Sequence, residues 1–361
     1  MTDKNIRFFL AANSADGFYS LFSQLYDPNG DNRAVIIKGG PGTGKSSFMK
    51  RIADEAQRLG FYTERISCSS DPQSLDAVII PELKFSIADG TAPHTLEPIY
   101  PGAVEEILNL GECWNSKELH SKADEIRNAN ARYKSFHAHA RDYIHSAGTL
   151  RMNSIKTLRA LVNEKRVSEF VDNFIKEIEE SAKSKDAKIS KRILTGISPD
   201  GIITYYNTIE NLCDKIVILD DPSGTAADCV MKKIAQSAVE NGIDVITCMS
   251  PLFPQEMIEH IILPQCGICL TLKNDLLSAE APAKASISLK TFYKQNEYDE
   301  FEEQLIFNST VSKALLEKGC TQIKNAKKAH DELEALYIPS MDFDAVNKKK
   351  RKMLDELFAQ E

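Results

Sequence analysis

Residues 39–46 read Gly-Gly-Pro-Gly-Thr-Gly-Lys-Ser, a full match to GxxxxGK[ST]. The pattern constrains a fold tightly, because such a loop works only between a buried strand and the start of a helix. Both flanks are present. Ala34-Val35-Ile36-Ile37 is a β-branched run of the kind that makes a buried parallel strand. After the loop, Phe48, Ile52, Ala53, Ala56 and Leu59 recur at helical spacing until Gly60, a suitable C′ glycine. The expected fold is α/β, a parallel sheet flanked by helices.

Each residue type in the loop has a physical reason. Glycines 40, 42 and 44 let backbone N–H groups turn inward around a phosphate without Cβ clashes, and the following helix adds its positive N-terminal dipole. The expected nucleotide-binding set is Gly40, Pro41, Gly42, Thr43, Gly44, Lys45, Ser46 and Ser47. Lys45 would reach the β- and γ-phosphates, and the Ser46 hydroxyl would ligate Mg²⁺. ATP is the expected nucleotide, with GTP as the alternative.

A carboxylate at the end of a neighbouring strand should complete the metal site. Val78-Ile79-Ile80 is one apolar run, and Phe85-Ser86-Ile87-Ala88-Asp89 is a second that ends in Asp89, the metal candidate. Asp89-Gly90 also reads as a turn pair. Besides Lys45, the catalytic candidates are Asp71, after a strand expected over Tyr62–Ser67, and His94, just past the Asp89 strand. Asp71-Pro72 is equally a turn or helix-start signal, and His94 equally a surface-loop histidine.

Shifting the chain by 182 residues superimposes Val35-Ile36 on Val217-Ile218, Gly42-Thr43 on Gly224-Thr225, Met49-Lys50 on Met231-Lys232 and Gly60 on Gly242. Upstream, Ser14-Ala15-Asp16-Gly17 matches Ser198-Pro199-Asp200-Gly201, each reading as a hairpin turn. A tandem duplication follows, with repeat 1 over 1–188 and repeat 2 over 189–361. Repeat 1 has a core of about 5–100 and a helical arm of about 103–188; repeat 2 has a core of about 190–285 and an arm of about 293–361, each arm a helical hairpin with breaks near Gly148 and Pro339. In the ungapped alignment Gly44, Lys45 and Ser46 fall on Ala226, Ala227 and Asp228, and Asp89 falls on Thr271. Repeat 2 should therefore keep the fold and lose the nucleotide, with Asp220, Asp221 and Asp228 repelling phosphate.

The net charge of −8 disfavours nucleic acid as the main partner. Residues 117–192 are nevertheless net positive, and Lys348-Lys349-Lys350-Arg351-Lys352 is basic; both read as solvated helix faces. No apolar run approaches the roughly 18–20 residues that span a bilayer. The eight cysteines are scattered, so reduced thiols in the cytoplasm are expected. Cys266-Gly267-Ile268-Cys269 runs into an expected strand and has no second CxxC, which favours buried cysteines over a redox or zinc site. His137 and His139, two apart on an expected helix, point in different directions and read as surface or packing.

The glycine loop, Ser69-Ser70-Asp71-Pro72-Gln73-Ser74-Leu75-Asp76, Val78-Ile79-Ile80-Pro81-Glu82-Leu83 and Asp89-Gly90-Thr91-Ala92-Pro93-His94 resemble a bacterial P-loop ATPase-like, or nucleotide-kinase-like, family. Its members are built from two tandem P-loop halves, and the resemblance covers essentially the whole chain. It implies ATP or GTP binding and no particular substrate. Three readings follow: an Mg²⁺-dependent ATPase or nucleotide switch, a phosphotransferase with a small-molecule or nucleotide acceptor, and a nucleotide-gated scaffold for a protein partner.

Overall fold

The computed structural model describes residues 5–93, 95–178, 180–181, 183–276, 283 and 285–358. In chain order the first half gives β1 (Ile6–Phe8), β2 (Ala11–Ser14), β3 (Gly17–Ser20), β4 (Arg33–Lys38), α1 (Lys45–Arg58), β5 (Glu64–Cys68), β6 (Asp71–Ile80), β7 (Phe85–Asp89) and β8 (Glu105–Asn109). Helices α2 (Ser116–Ser121), α3 (Ala123–Arg159) and α4 (Glu164–Ile178) follow. The second half gives β9 (Ile189–Arg192), β10 (Thr195–Ser198), β11 (Gly201–Thr204), α5 (Tyr206–Leu212), β12 (Lys215–Asp220) and α6 (Thr225–Glu240). It continues with β13 (Val245–Met249), β14 (Ile258–Leu263), β15 (Ile268–Lys273), β16 (Ala285–Ser288), α7 (Gln295–Tyr337) and α8 (Phe343–Phe358).

Two six-stranded sheets result. Their orders, β1-β5-β6-β7-β4-β8 and β9-β13-β14-β15-β12-β16, agree position for position. The two hairpins agree as well. β2–β3 and β10–β11 are antiparallel and close at Ser14–Gly17 and Ser198–Gly201. In each the serine hydroxyl donates to the glycine carbonyl, at 2.7 and 2.8 Å, and the glycine is left-handed.

The sheets are mixed, which corrects the expected parallel sheet. β4 lies parallel to β7 and β8, whereas β6 runs antiparallel to both β5 and β7. The second sheet repeats this, with β14 antiparallel to β13 and β15. The cause is connection length. Only Ser69-Ser70 separates β5 from β6, and a 3₁₀ turn at Pro81–Leu83 joins β6 to β7. Parallel neighbours need a crossover of roughly a dozen residues or more, which neither link can supply.

Compactness divides the chain otherwise than the repeat boundary does. Unit 1 holds the described residues through Arg7, Phe22–His139 and those from Gln322 onward; unit 2 holds Phe8–Leu21 and Ala140–Thr321. Each core is thus finished by chain from the other half. In unit 1, α8 sets Val346 and Met353 into the cluster of Val35, Ile37, Phe48, Ile52, Ile80 and Ile87. In unit 2, α4 packs against α6 and buries Val167, Val171, Phe174 and Ile178. The joints match: Asn115 and Asp342 N–H donate to the Ser340 and Cys113 carbonyls in unit 1, as Asn163 and Lys294 N–H donate to those of Phe292 and Leu161 in unit 2.

Two readings of the arms need correction. Residues 105–109, counted with the first arm, are the edge strand β8. Helix α3 passes through Gly148 without a break. A Cβ there would lie 2.3 Å from the Ala15 Cβ, so this glycine permits close packing within unit 2 instead of ending a helix. The break near Pro339 is present, as a 3₁₀ turn at Ile338–Ser340. Among the described residues no helix is long and apolar enough to cross a membrane. All eight cysteines are free thiols, Cys269 being buried in β15.

Candidate functional site

The glycine loop leaves the end of β4 and opens α1, with Gly42 and Gly44 at φ 68° and 85°. A side chain at either position would be strained, which accounts for glycine at both. Thr43 Oγ1 donates to the Gly40 carbonyl at 2.9 Å and braces the turn. Lys45 begins the helix and folds back, its Nζ donating to the Gly39 and Gly40 carbonyls at 2.8 Å each.

Parallel pairing of β4 with β7 brings Asp89 beside the loop. Its Oδ2 lies 3.5 Å from Lys45 Nζ, and its Oδ1 accepts from the Thr91 N–H at 2.8 Å and the Thr91 hydroxyl at 2.5 Å. Ser46 Oγ accepts the Leu75 N–H at 2.9 Å, which ties the first turn of α1 to β6. Lys45, Ser46 and Asp89 therefore meet at one helix N-terminus. Gly39–Ser47, Asp71 and Asp89 line a single cavity of about 720 Å³.

Asp71 is the first residue of β6, where it closes the Ser69-Ser70 turn opposite Cys68, and it starts no helix. Antiparallel β6 begins at the edge of the sheet where β4 and β7 end, and this puts Asp71 in the cavity wall. Its Oδ2 accepts from Ser74 Oγ at 2.8 Å and lies 3.8 Å from Lys327 Nζ; its Oδ1 is buried and has no hydrogen-bond partner among the described residues. His94 falls outside the described residues.

Sequence reasoning missed the rest of the wall. Asp76, buried on β6, faces the cavity, as do Tyr133 and His137 from α3 and Lys327, His330 and Glu334 from α7. Tyr133 packs between the two imidazoles, with ring centroids 4.7 Å from His137 and 5.3 Å from His330. Burial, aided by His330, holds the His137 imidazole down at about 4, so it is neutral near pH 7. The two imidazoles differ as their spacing implies: His139 is exposed, while His137 packs on Tyr133 in the cavity wall. His330, Asp331 and Glu334 offer ligand atoms within 4.8 Å of one another, and Lys327 already pairs with Asp331 at 3.0 Å. Glu334 Oε1 accepts the Gly42 N–H at 3.1 Å.

The corresponding place in unit 2 is closed. The strand–helix loop shortens from Gly39–Gly44 to Asp221–Gly224, and the helix lengthens from 14 to 16 residues. Gly224, left-handed like Gly44, caps a helix that opens with Thr225 where unit 1 has Lys45. The ungapped alignment is thus offset by two residues within the loop. Asp221 Oδ2 accepts the Ala226 and Ala227 N–H groups at 2.8 and 3.1 Å, the position an anion takes at a helix N-terminus. Tyr293 and Ser223 hydroxyls donate to the same carboxylate. Burial pushes the Asp221 carboxyl up, against these hydrogen bonds, which pull it down.

Asp228 does not face the loop as expected. It is buried, accepts the Ile258 N–H at 3.0 Å and pairs with Lys232 at 2.7 Å. Thr271, aligned with Asp89, hydrogen-bonds His260 at 2.7 Å.

Comparison with protein families, with curated proteins and with solved structures finds no match to this chain.

Proposed function

We propose that unit 1 binds an Mg²⁺–nucleoside triphosphate, ATP foremost and GTP as the alternative, and hydrolyses its γ-phosphate, while unit 2 is a nucleotide-incompetent copy. The observation that carries this reading is the meeting of Lys45 Nζ, Ser46 Oγ and the Asp89 carboxylate at the N-terminus of α1, behind a loop with left-handed glycines at Gly42 and Gly44.

The donor set suits the metal. Ser46 Oγ and Asp89 Oδ2 are the hard oxygen ligands that Mg²⁺ prefers, and neither is used up by its present hydrogen bonds. Mg²⁺ held there would neutralise charge on the β- and γ-phosphate oxygens. The chain's own residues supply the rest. Lys45 exchanges the Gly39 and Gly40 carbonyls for phosphate oxygens, an exchange its flexible stem allows. Asp71, in the cavity wall, would accept a hydrogen bond from the attacking water at Oδ2, in exchange for the one it takes from Ser74, and orient it.

A second reading rests on the polar wall beyond the loop. Asp71, Tyr133, His137, Lys327 and His330 form more recognition surface than a water molecule needs, which supports a phosphotransferase with a small-molecule acceptor. Calorimetric titration with MgATP, together with γ-labelled ATP turnover with and without candidate acceptors, tests both. Lys45→Ala should weaken binding about 100-fold or more, the loss of a charge-assisted contact to a buried anion. Unchanged affinity in that variant would remove the proposal. Label in free phosphate supports hydrolysis, and label in an acceptor supports the second reading.

A further inference from the structure

Both units place one of their own carboxylates on helix-opening or loop N–H groups. In unit 2 it is Asp221, which is 1% exposed and held by Tyr293, Ser223 and two backbone amides. In unit 1 it is Glu334, whose Oε1 takes the Gly42 N–H at 3.1 Å. The two are held very differently. Glu334 reaches the loop from a separate element, α7, and its side chain is 37% exposed. The His330 imidazole lies 4.0 Å from the same Oε1 oxygen.

The end of α7 is pressed against the loop. A Cβ on Gly42 would meet Ile338 Cγ1 at 3.0 Å and the Glu334 carbonyl at 3.1 Å; one on Gly40 would meet Trp114 at 3.2 Å and Tyr337 at 3.3 Å. A triphosphate seated in the loop needs the Gly42 N–H and brings several negative charges next to the Glu334 carboxylate. Both cannot occupy the position.

Resting on the nucleotide reading above, we infer that Glu334 is a built-in competitor for the phosphate seat of unit 1. Nucleotide must expel the carboxylate and shift the end of α7 from Glu334, together with Ile338 of the following 3₁₀ turn. In unit 2 the carboxylate on the helix-opening amides, Asp221 of the loop itself, is buried and locked, which makes the closure permanent there and reversible in unit 1. Ligand affinity is lowered by the fraction of molecules in which the seat is already filled.

The chain's single tryptophan is the reporter, since Trp114 lies 6.1 Å from Tyr337, centroid to centroid, on this same contact. The experiment titrates MgATP into the full-length wild type, Lys45→Ala, Glu334→Ala and Glu334→Gln, by calorimetry and Trp114 emission. Glu334→Ala should bind about tenfold tighter, and Glu334→Gln, which keeps an acceptor but loses the charge, about threefold tighter. Wild-type emission should change on binding. The free Glu334→Ala protein should already emit part-way toward the bound value.

A carboxylate that merely supports the loop predicts the opposite sign, weaker binding on its removal. Equal or weaker affinity in Glu334→Ala, with a wild-type melting curve, overturns the inference while the nucleotide reading stands; if that variant does not fold, the same criterion applies to Glu334→Gln. No binding by any protein, wild type included, overturns both.

Discussion

The Tyr293 hydroxyl lies 3.0 Å from both carboxylate oxygens of Asp221 and accepts the Ala226 N–H at 2.9 Å. The pair closes the start of α6 from two sides. Asp221→Ala would leave the buried Ala227 N–H short of an acceptor and the Ala226 N–H with Tyr293 alone, at a cost of about 1–3 kcal/mol. Hydrogen exchange should show the first amides of α6 opening at least about tenfold faster in this variant, and less so in Asp221→Asn, which keeps an acceptor oxygen. Unaltered protection in Asp221→Ala would mean that the carboxylate does not hold the helix start.

Asp89→Asn separates charge from shape. Asparagine keeps the oxygen that accepts from Thr91 and loses the charge facing Lys45. Metal-free ATP affinity should stay within about threefold of wild type, while the gain from Mg²⁺ disappears and phosphate release falls about 100-fold. Mg²⁺ titrations at fixed ATP measure this. A variant with an intact Mg²⁺ response would assign the metal to another carboxylate, Asp76 being the buried one in the same wall.

Met353→Ala tests whether α8 belongs to the core behind the glycine loop. Met353 is 4% exposed among Val35, Phe48 and Ile87 neighbours of the first sheet. Truncating a buried methionine costs about 2–5 kcal/mol. Urea unfolding followed at Trp114, also in unit 1, should move to a lower midpoint by a matching amount. An unmoved midpoint would detach α8 from that core.

Glu259 makes the stability of unit 2 depend on pH. Burial pushes its carboxyl up from 4.5 to about 7, against a Ser250 hydrogen bond, the Arg151 charge and a Thr195 hydrogen bond. The folded state therefore binds more protons than the unfolded chain between these values. The contribution is fully present below pH 4.5 and is lost as pH rises through 7. Neighbouring His260, held down to about 3 by burial, acts oppositely, costing stability as pH falls from 6.5 toward 3. Comparing wild type with Glu259→Gln cancels the histidine. Their stability difference should shift against wild type by up to about 3 kcal/mol between pH 4.5 and 7. Denaturation at closely spaced pH values reads it, and a flat difference refutes it.

Much of the site was legible because Lys45, Ser46 and Asp89 are set by local pattern: a glycine loop, a helix period and a carboxylate ending an apolar run. The direction of β6 was not, since Val78-Ile79-Ile80 reads the same along either strand direction, and only the brevity of Ser69-Ser70 decides it. Tyr133, His137 and Glu334 were illegible for another reason. They reach the cavity from α3 and α7, at positions about two hundred residues apart in sequence, and nothing in either helix announces the loop. Asp221 was seen as a repelling charge, but a formal charge carries no statement of burial. Gly148 was read as punctuation when its cause was the approach of Ala15.

The exchange of arms also orders the molecule's assembly during synthesis. Translation delivers the glycine loop early, yet the core behind it stays open until Val346 and Met353 of α8 have been made. Unit 2 needs nothing beyond Thr321. The half encoded first is therefore the last to close, and for that interval the nascent chain carries an exposed apolar sheet face for which a chaperone would compete with α8.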